Sequence, residues 1–134
     1  MTRAAAALAL VVACGGMKDP GSVADKFVDR YYVESDQQGA LPFTSGVATL
    51  QLQDELRLSA EARRPGNPLP SRQVRVYYTR SALAGGDAER IADYKLDIRP
   101  QGGGDLQREA HLTLSRQADG TWRVVRFHET QPSR

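Results

Sequence analysis

Pro65, Pro68 and Pro70 fall within six residues of one another and cut the chain into two parts of different periodicity. Proline lacks a backbone N–H and fixes φ, so neither a helix nor a central strand runs through such a segment. Before it, apolar residues recur three and four apart; after it, from Ser71 onward, they alternate with polar ones. The first pattern is that of amphipathic helices and the second that of half-buried strands. Helices followed by strands predict an α+β fold with two N-terminal helices packed on one face of a four-stranded antiparallel meander.

In the helical part, Val23, Ala24, Phe27, Val28 and Tyr31 share one side, with Asp25, Lys26, Asp29 and Arg30 on the other. Asp19 can cap this helix, Pro20 suits its first turn, and Ser22 with Asp25 offers an alternative capping box. The first helix is expected over residues 20–35, broken by Gln37-Gln38-Gly39. A second is expected from Thr44 or Ser45 to Ala62, with Val47, Leu50, Leu52 and Leu56 as its apolar positions.

In the second part, Val74, Val76 and Tyr78 alternate with Arg75, Tyr77 and Thr79. Ala92, Tyr94, Leu96 and Ile98 alternate with Asp93, Lys95 and Asp97, and Ala110, Leu112 and Leu114 with Glu109, His111 and Thr113. Gly85-Gly86-Asp87, the Gly102-Gly103-Gly104 run and Asp119-Gly120 supply hairpin chemistry between them. The last strand, residues 121–129, has Trp122, Val124, Val125 and Phe127 on both of its faces, which predicts a central or doubly covered position.

Charge and cysteine content narrow the function classes. The chain has 134 residues, a formal net charge of +2 and one cysteine. That length makes one domain with its own core, and no disulfide braces it. Basic and acidic residues are interspersed without a basic stripe, so nucleic acid is not an expected partner. The one basic-rich stretch, Arg63-Arg64 and residues 72–80, reads first as solvated surface, with a face toward anionic lipid as the alternative.

The segment Val11-Val12-Ala13-Cys14, behind an alanine-rich run from Ala4, resembles the lipobox of bacterial lipoproteins. The resemblance implies a diacylglyceryl thioether on Cys14, cleavage after Ala13, and acylation of the new amino terminus by a palmitate-type chain. Residues 1–13 are then a signal peptide, residues 14–19 an acylated terminus with a short tether, and residues 20–134 the domain. The apolar run is about half the ~20 residues that span a bilayer, so it is not read as a transmembrane helix. A tether of Gly15 to Asp19 reaches at most about 17 Å, which keeps the domain close to the membrane. Gly15 rather than aspartate after the cysteine implies a cell-envelope location in the outer membrane where the bacterium has two membranes.

Within residues 21–129, the helix Val23-Ala24-Asp25-Lys26-Phe27-Val28-Asp29-Arg30-Tyr31-Tyr32 and the hairpin Asp119-Gly120-Thr121-Trp122-Arg123-Val124 resemble the NTF2-like, cystatin-like family of cone-shaped domains. The absence of a clear extra element between the second helix and Ser71 implies a shallow or open cone. The family includes isomerases, hydrolases and dehydratases as well as non-catalytic domains, which leaves two function classes. One is an envelope lipoprotein whose domain binds a partner protein, a small apolar ligand between helix and sheet, or a second copy through the sheet. The other is a lipid-anchored enzyme acting on a small apolar substrate.

The polar sheet face carries Asp93, Lys95, Asp97, Glu109 and His111, with Arg75, Tyr77 and Arg123 on neighbouring strands. A carboxylate beside His111 has the makings of an acid/base pair, with Asp93 or Asp97 as its partner. Opposite charges alternating across antiparallel strands also solvate a face and set register, which needs no catalysis, and no catalytic residue is assigned. His111 and His128 lie on different strands without cysteine partners and make no zinc signature. The triple glycine lacks the lysine and following helix of a phosphate loop. No metal or cofactor is expected. Trp122, Tyr94 and Tyr78 read as core residues or cavity walls.

Overall fold

The computed structural model describes residues 15–62 and 74–132. The signal-like segment, Cys14 and the proline-rich link lie outside the described residues. A 3₁₀ turn at Gly15–Lys18 leads into α1 (Pro20–Val28), which continues as a π-helical turn over Asp29–Val33. Then come α2 (Gln37–Ala40), a 3₁₀ turn at Leu41–Phe43, α3 (Gly46–Ala62), and the strands β1 (Val74–Gly85), β2 (Glu89–Pro100), β3 (Leu106–Arg116) and β4 (Trp122–Thr130). The strands pair antiparallel in the order β1-β2-β3-β4, and the fold is α+β as expected.

The start of α1 follows its local chemistry. Asp19 accepts a hydrogen bond from the Ser22 amide at 3.0 Å and Pro20 occupies the first turn, which satisfies one of the orphan amides at a helix start. The helical path then widens instead of ending at Val28: the Glu34 amide bonds the Asp29 carbonyl five residues back at 2.9 Å. Ser35, at φ 53°, turns the chain out of the helix. Between the expected helices, Asp36 caps the single turn of α2 by accepting from the Gly39 amide at 2.8 Å.

One layer of side chains joins helices to sheet. Val23, Ala24, Phe27 and Val28 of α1 are fully buried, as are Ala92, Tyr94, Ala110, Leu112, Leu114 and Val124 of the sheet. Phe27 stacks on Tyr31 at 5.5 Å, and both pack on Phe127, at 5.0 and 4.8 Å. Aromatic pairs in such geometries add to the burial of apolar area.

Two sequence expectations are corrected. The buried positions of α3 are Ala48 and Leu52, whereas Val47 and Leu50 are 53% and 67% exposed. The helix thus turns Ala48 and the expected Leu52 to the core and Val47 and Leu50 to solvent. The last strand is an edge strand, not a central one. Its change of phase comes from a bulge opposite Thr113 and Leu114, where Val125 has no partner, so Trp122, Val124 and Phe127 all reach the core. A bulge inserts one residue and re-aims those after it. In the β1–β2 turn Gly85 has φ 128°, and a side chain there would strike the Glu89 carbonyl.

The join between α1 and the sheet has a polar pin. Tyr94 is fully buried and its hydroxyl donates to Asp25 on α1, which also faces Arg80 of β1 at 3.3 Å. Burial, then the bond to Asp25, holds the Tyr94 phenol far above the usual tyrosine range. Asp25→Ala strands a buried hydroxyl and is expected to cost about 1–3 kcal/mol. Tyr94→Phe in the same chain removes the stranded group and should return part of that loss. A double-mutant cycle by urea unfolding measures both; additive costs would mean the two groups do not interact.

Candidate functional site

The two faces of the sheet differ in how their polar groups are served. On the outer face, Asp93 lies opposite His111, Lys95 opposite Glu109, and Asp97 opposite Gln107. The Asp93 carboxylate and the His111 Nδ1 are 2.7 Å apart, and His111 Nε2 is 2.8 Å from the Thr130 hydroxyl. Glu109 stands 4.0 Å from the same ring and the His128 ring 5.1 Å away. Asp97, the other acid considered beside His111, is instead bound by Arg99 at 2.7 Å, and Arg99 lies 4.8 Å over the Tyr77 ring. A recess of about 340 Å³ runs along this face between Tyr77, Lys95, Glu109 and Pro132. His111 does not line it.

The structure thus brings Asp93 and His111 together, but both ring nitrogens are engaged by neighbouring strands. The Asp93–His111–Thr130 chain stitches β2, β3 and β4 across a solvated face. Cross-strand pairs of this kind stabilise a sheet and hold its register.

The inner side is different. A recess of about 260 Å³ opens between the end of α1 and the sheet, near the lower end of the usual range for small-molecule sites. Val76, Leu96 and Ile98 form its apolar floor, while Tyr31, Tyr32, Gln37 and Glu129 bring polar groups to it. The π-helical turn sets this arrangement. In an ordinary α-helix Tyr31 follows Phe27 on the core side and Tyr32 points elsewhere, whereas the wider turn lets both tyrosines reach the recess. Such turns recur at functional sites.

Glu129 arrives by a related device. After the bulge at Val125, Phe127 and then Glu129 fall on the inner face, opposite Leu112 and Ala110. The Tyr32 hydroxyl and the Gln37 Oε1 are buried; Glu129 stands beside the hydroxyl without a close hydrogen bond, and no described protein group bonds the Gln37 oxygen. Behind Tyr31, Glu55 accepts its hydroxyl at 2.8 Å through Oε1, while Oε2 is buried without a partner. Burial first, and the neighbouring Glu129 carboxylate second, hold the Tyr32 phenol far above the usual tyrosine range. Buried polar atoms in native folds nearly always find partners, so two such atoms on the walls of one recess, with a third on Glu55 behind Tyr31, mark it as a place prepared for something else.

Sequence reasoning missed Tyr32, Gln37 and Glu129. The aromatic residues it considered for a cavity are placed otherwise: Tyr94 and Trp122 are core, and Tyr78 packs edge-on against Tyr94 at 5.7 Å. The one signal available was the Tyr31-Tyr32 tandem at a helix end. No group of three or more metal-ligating side chains is assembled among the described residues, and Cys14 lies outside them.

Neither protein-family models nor curated proteins match the chain. Solved structures do. A ketosteroid isomerase-like protein from Erwinia carotovora atroseptica superposes on 90% of this chain and 99% of its own, with a TM-score of 0.62 and 8% identity. A Nostoc punctiforme protein of unknown function with a cystatin-like fold covers 81% of this chain and 85% of its own, with a TM-score of 0.57 and 10% identity. At such identities the likeness is one of fold.

Because His111 ties two strands to its own, His111→Ala is expected to cost about 1–2 kcal/mol, more than a freely solvated surface residue would. Urea unfolding reads this, and a change under about 0.3 kcal/mol would show that the network adds nothing to stability.

Proposed function

We propose that this chain is a lipid-anchored cell-envelope protein whose cone-shaped domain is a non-catalytic binding module, taking a small and mostly apolar molecule between α1 and the sheet. The observation that carries the binding reading is the inner recess, with its apolar floor and its buried, unpartnered Tyr32 hydroxyl and Gln37 carbonyl oxygen. An apolar pocket with a few convergent polar atoms is the usual form of a small-molecule site. The anchor reading rests on Val11-Val12-Ala13-Cys14. The turn at Gly15–Lys18 supports it: this segment is already folded, with Met17 packed against the core, so an acyl group on Cys14 would hold the domain at the bilayer surface. No helix among the described residues is long and apolar enough to cross a membrane.

Native mass spectrometry of the detergent-extracted full chain tests both halves. The expected mass is that of a chain beginning at Cys14 and carrying acyl groups, and Cys14→Ser loses them together with metabolic labelling by a clickable fatty acid. Labelling that survives Cys14→Ser would overturn the anchor. A retained small molecule is expected in the wild type and lost in Ile98→Trp, which fills the recess floor. Retention unchanged by Ile98→Trp in a normally melting protein would place binding elsewhere.

A further inference from the structure

The polar groups around the inner recess are unequal in kind. Gln37 Oε1 accepts only, and so does the Glu129 carboxylate; the Glu55 carboxylate behind Tyr31 adds a second negative charge with one buried oxygen unserved. The donors at the recess are all neutral: the hydroxyls of Tyr32 and Ser35 and the Gln37 side-chain amide. No lysine, arginine or histidine is among the described residues lining the recess, and neither Glu55 nor Glu129 belongs to an ion pair among the described residues. Elsewhere the same protein pairs its carboxylates: Asp25 with Arg80, Glu34 with Arg30, Asp97 with Arg99. The described walls of the recess therefore carry negative charge and no positive charge.

Resting on the binding reading above, we infer that the ligand of this recess is an amine: an apolar body on Val76, Leu96 and Ile98 with an ammonium group directed to Glu129 and Gln37. An ammonium group brings several N–H donors and one positive charge, which is the complement of what the walls present. Its hydrogen bonds to a carboxylate are of the stronger, charge-assisted kind. The Tyr31 and Tyr32 rings, edge to face at 4.8 Å, add aromatic surface of the type that attracts cations. A carboxylate ligand would meet Glu129 as a like charge, and an alcohol would serve one acceptor and leave the charge unanswered.

Three probes of matched shape separate these cases: phenethylamine, phenethyl alcohol and phenylacetate, titrated into the full-length chain at neutral pH with binding followed by NMR. The amine is expected to bind about tenfold more tightly than the alcohol, as one strong charge-assisted bond would give, with phenylacetate weakest. Glu129→Gln should weaken the amine about tenfold and change the alcohol less than twofold, while Asp87→Asn, in the turn between β1 and β2 and outside the recess lining, should change neither. Alcohol or phenylacetate binding as tightly as the amine would overturn the amine assignment and leave the binding module standing. An amine preference unaffected by Glu129→Gln, in a variant whose NMR spectrum shows an intact fold, would also overturn it. Binding of none of the three would bring down the recess as a ligand site, and this inference with it.

Discussion

A buried phenol sets the position of the first helix. Tyr94 sits in the middle of β2, fully enclosed, and an enclosed hydroxyl without an acceptor costs more than most single contacts supply. Asp25 provides that acceptor from α1, and Arg80 steadies it from β1. The pin fixes the height and rotation of α1 over the sheet, so that Phe27 and Tyr31 meet Phe127. Everything at the far end of the helix, including the gap between Tyr32 and the sheet, inherits that geometry.

Much of the architecture was legible because it arises from periodicity. The prolines between 65 and 70 marked the change from helix to strand, Asp19 and Pro20 marked the start of α1, and the alternations around Tyr94 and Leu112 told inner from outer faces. What periodicity cannot see is an inserted residue. The bulge at Val125 made an edge strand read as one covered on both sides, and the π-helical turn hid Tyr32 on what looked like the solvent side. Both irregularities shift the phase of a repeat, and both deliver a polar side chain to the recess. The face of α3 was read correctly at Leu52 and misread at Val47 and Leu50, because Ala48, not an evident core position in the sequence, shares the buried side with Leu52.

The same distinction separates the two sheet faces. The outer face has more charged residues and the larger recess, yet its groups answer one another: Asp93 with His111, His111 with Thr130, Asp97 with Arg99. The inner recess is smaller and has fewer charges, and its buried oxygens are unanswered. Demand for a partner is a better guide to a site than the density of titratable residues or the size of a hollow.

The Gly15–Lys18 turn gives the molecule a polarity of its own. Lys18 and Pro20 share a shallow depression with Trp122 at the beginning of β4, while Glu129 and the recess stand at that strand's end. Seven residue steps of extended strand separate Trp122 from Glu129, a span of about 23 Å at ~3.3 Å per residue. On the proposed anchor at Cys14, the mouth would point outward, toward the aqueous compartment. A ligand of such an anchored domain would then arrive by diffusion through water, and need not first dissolve in the bilayer.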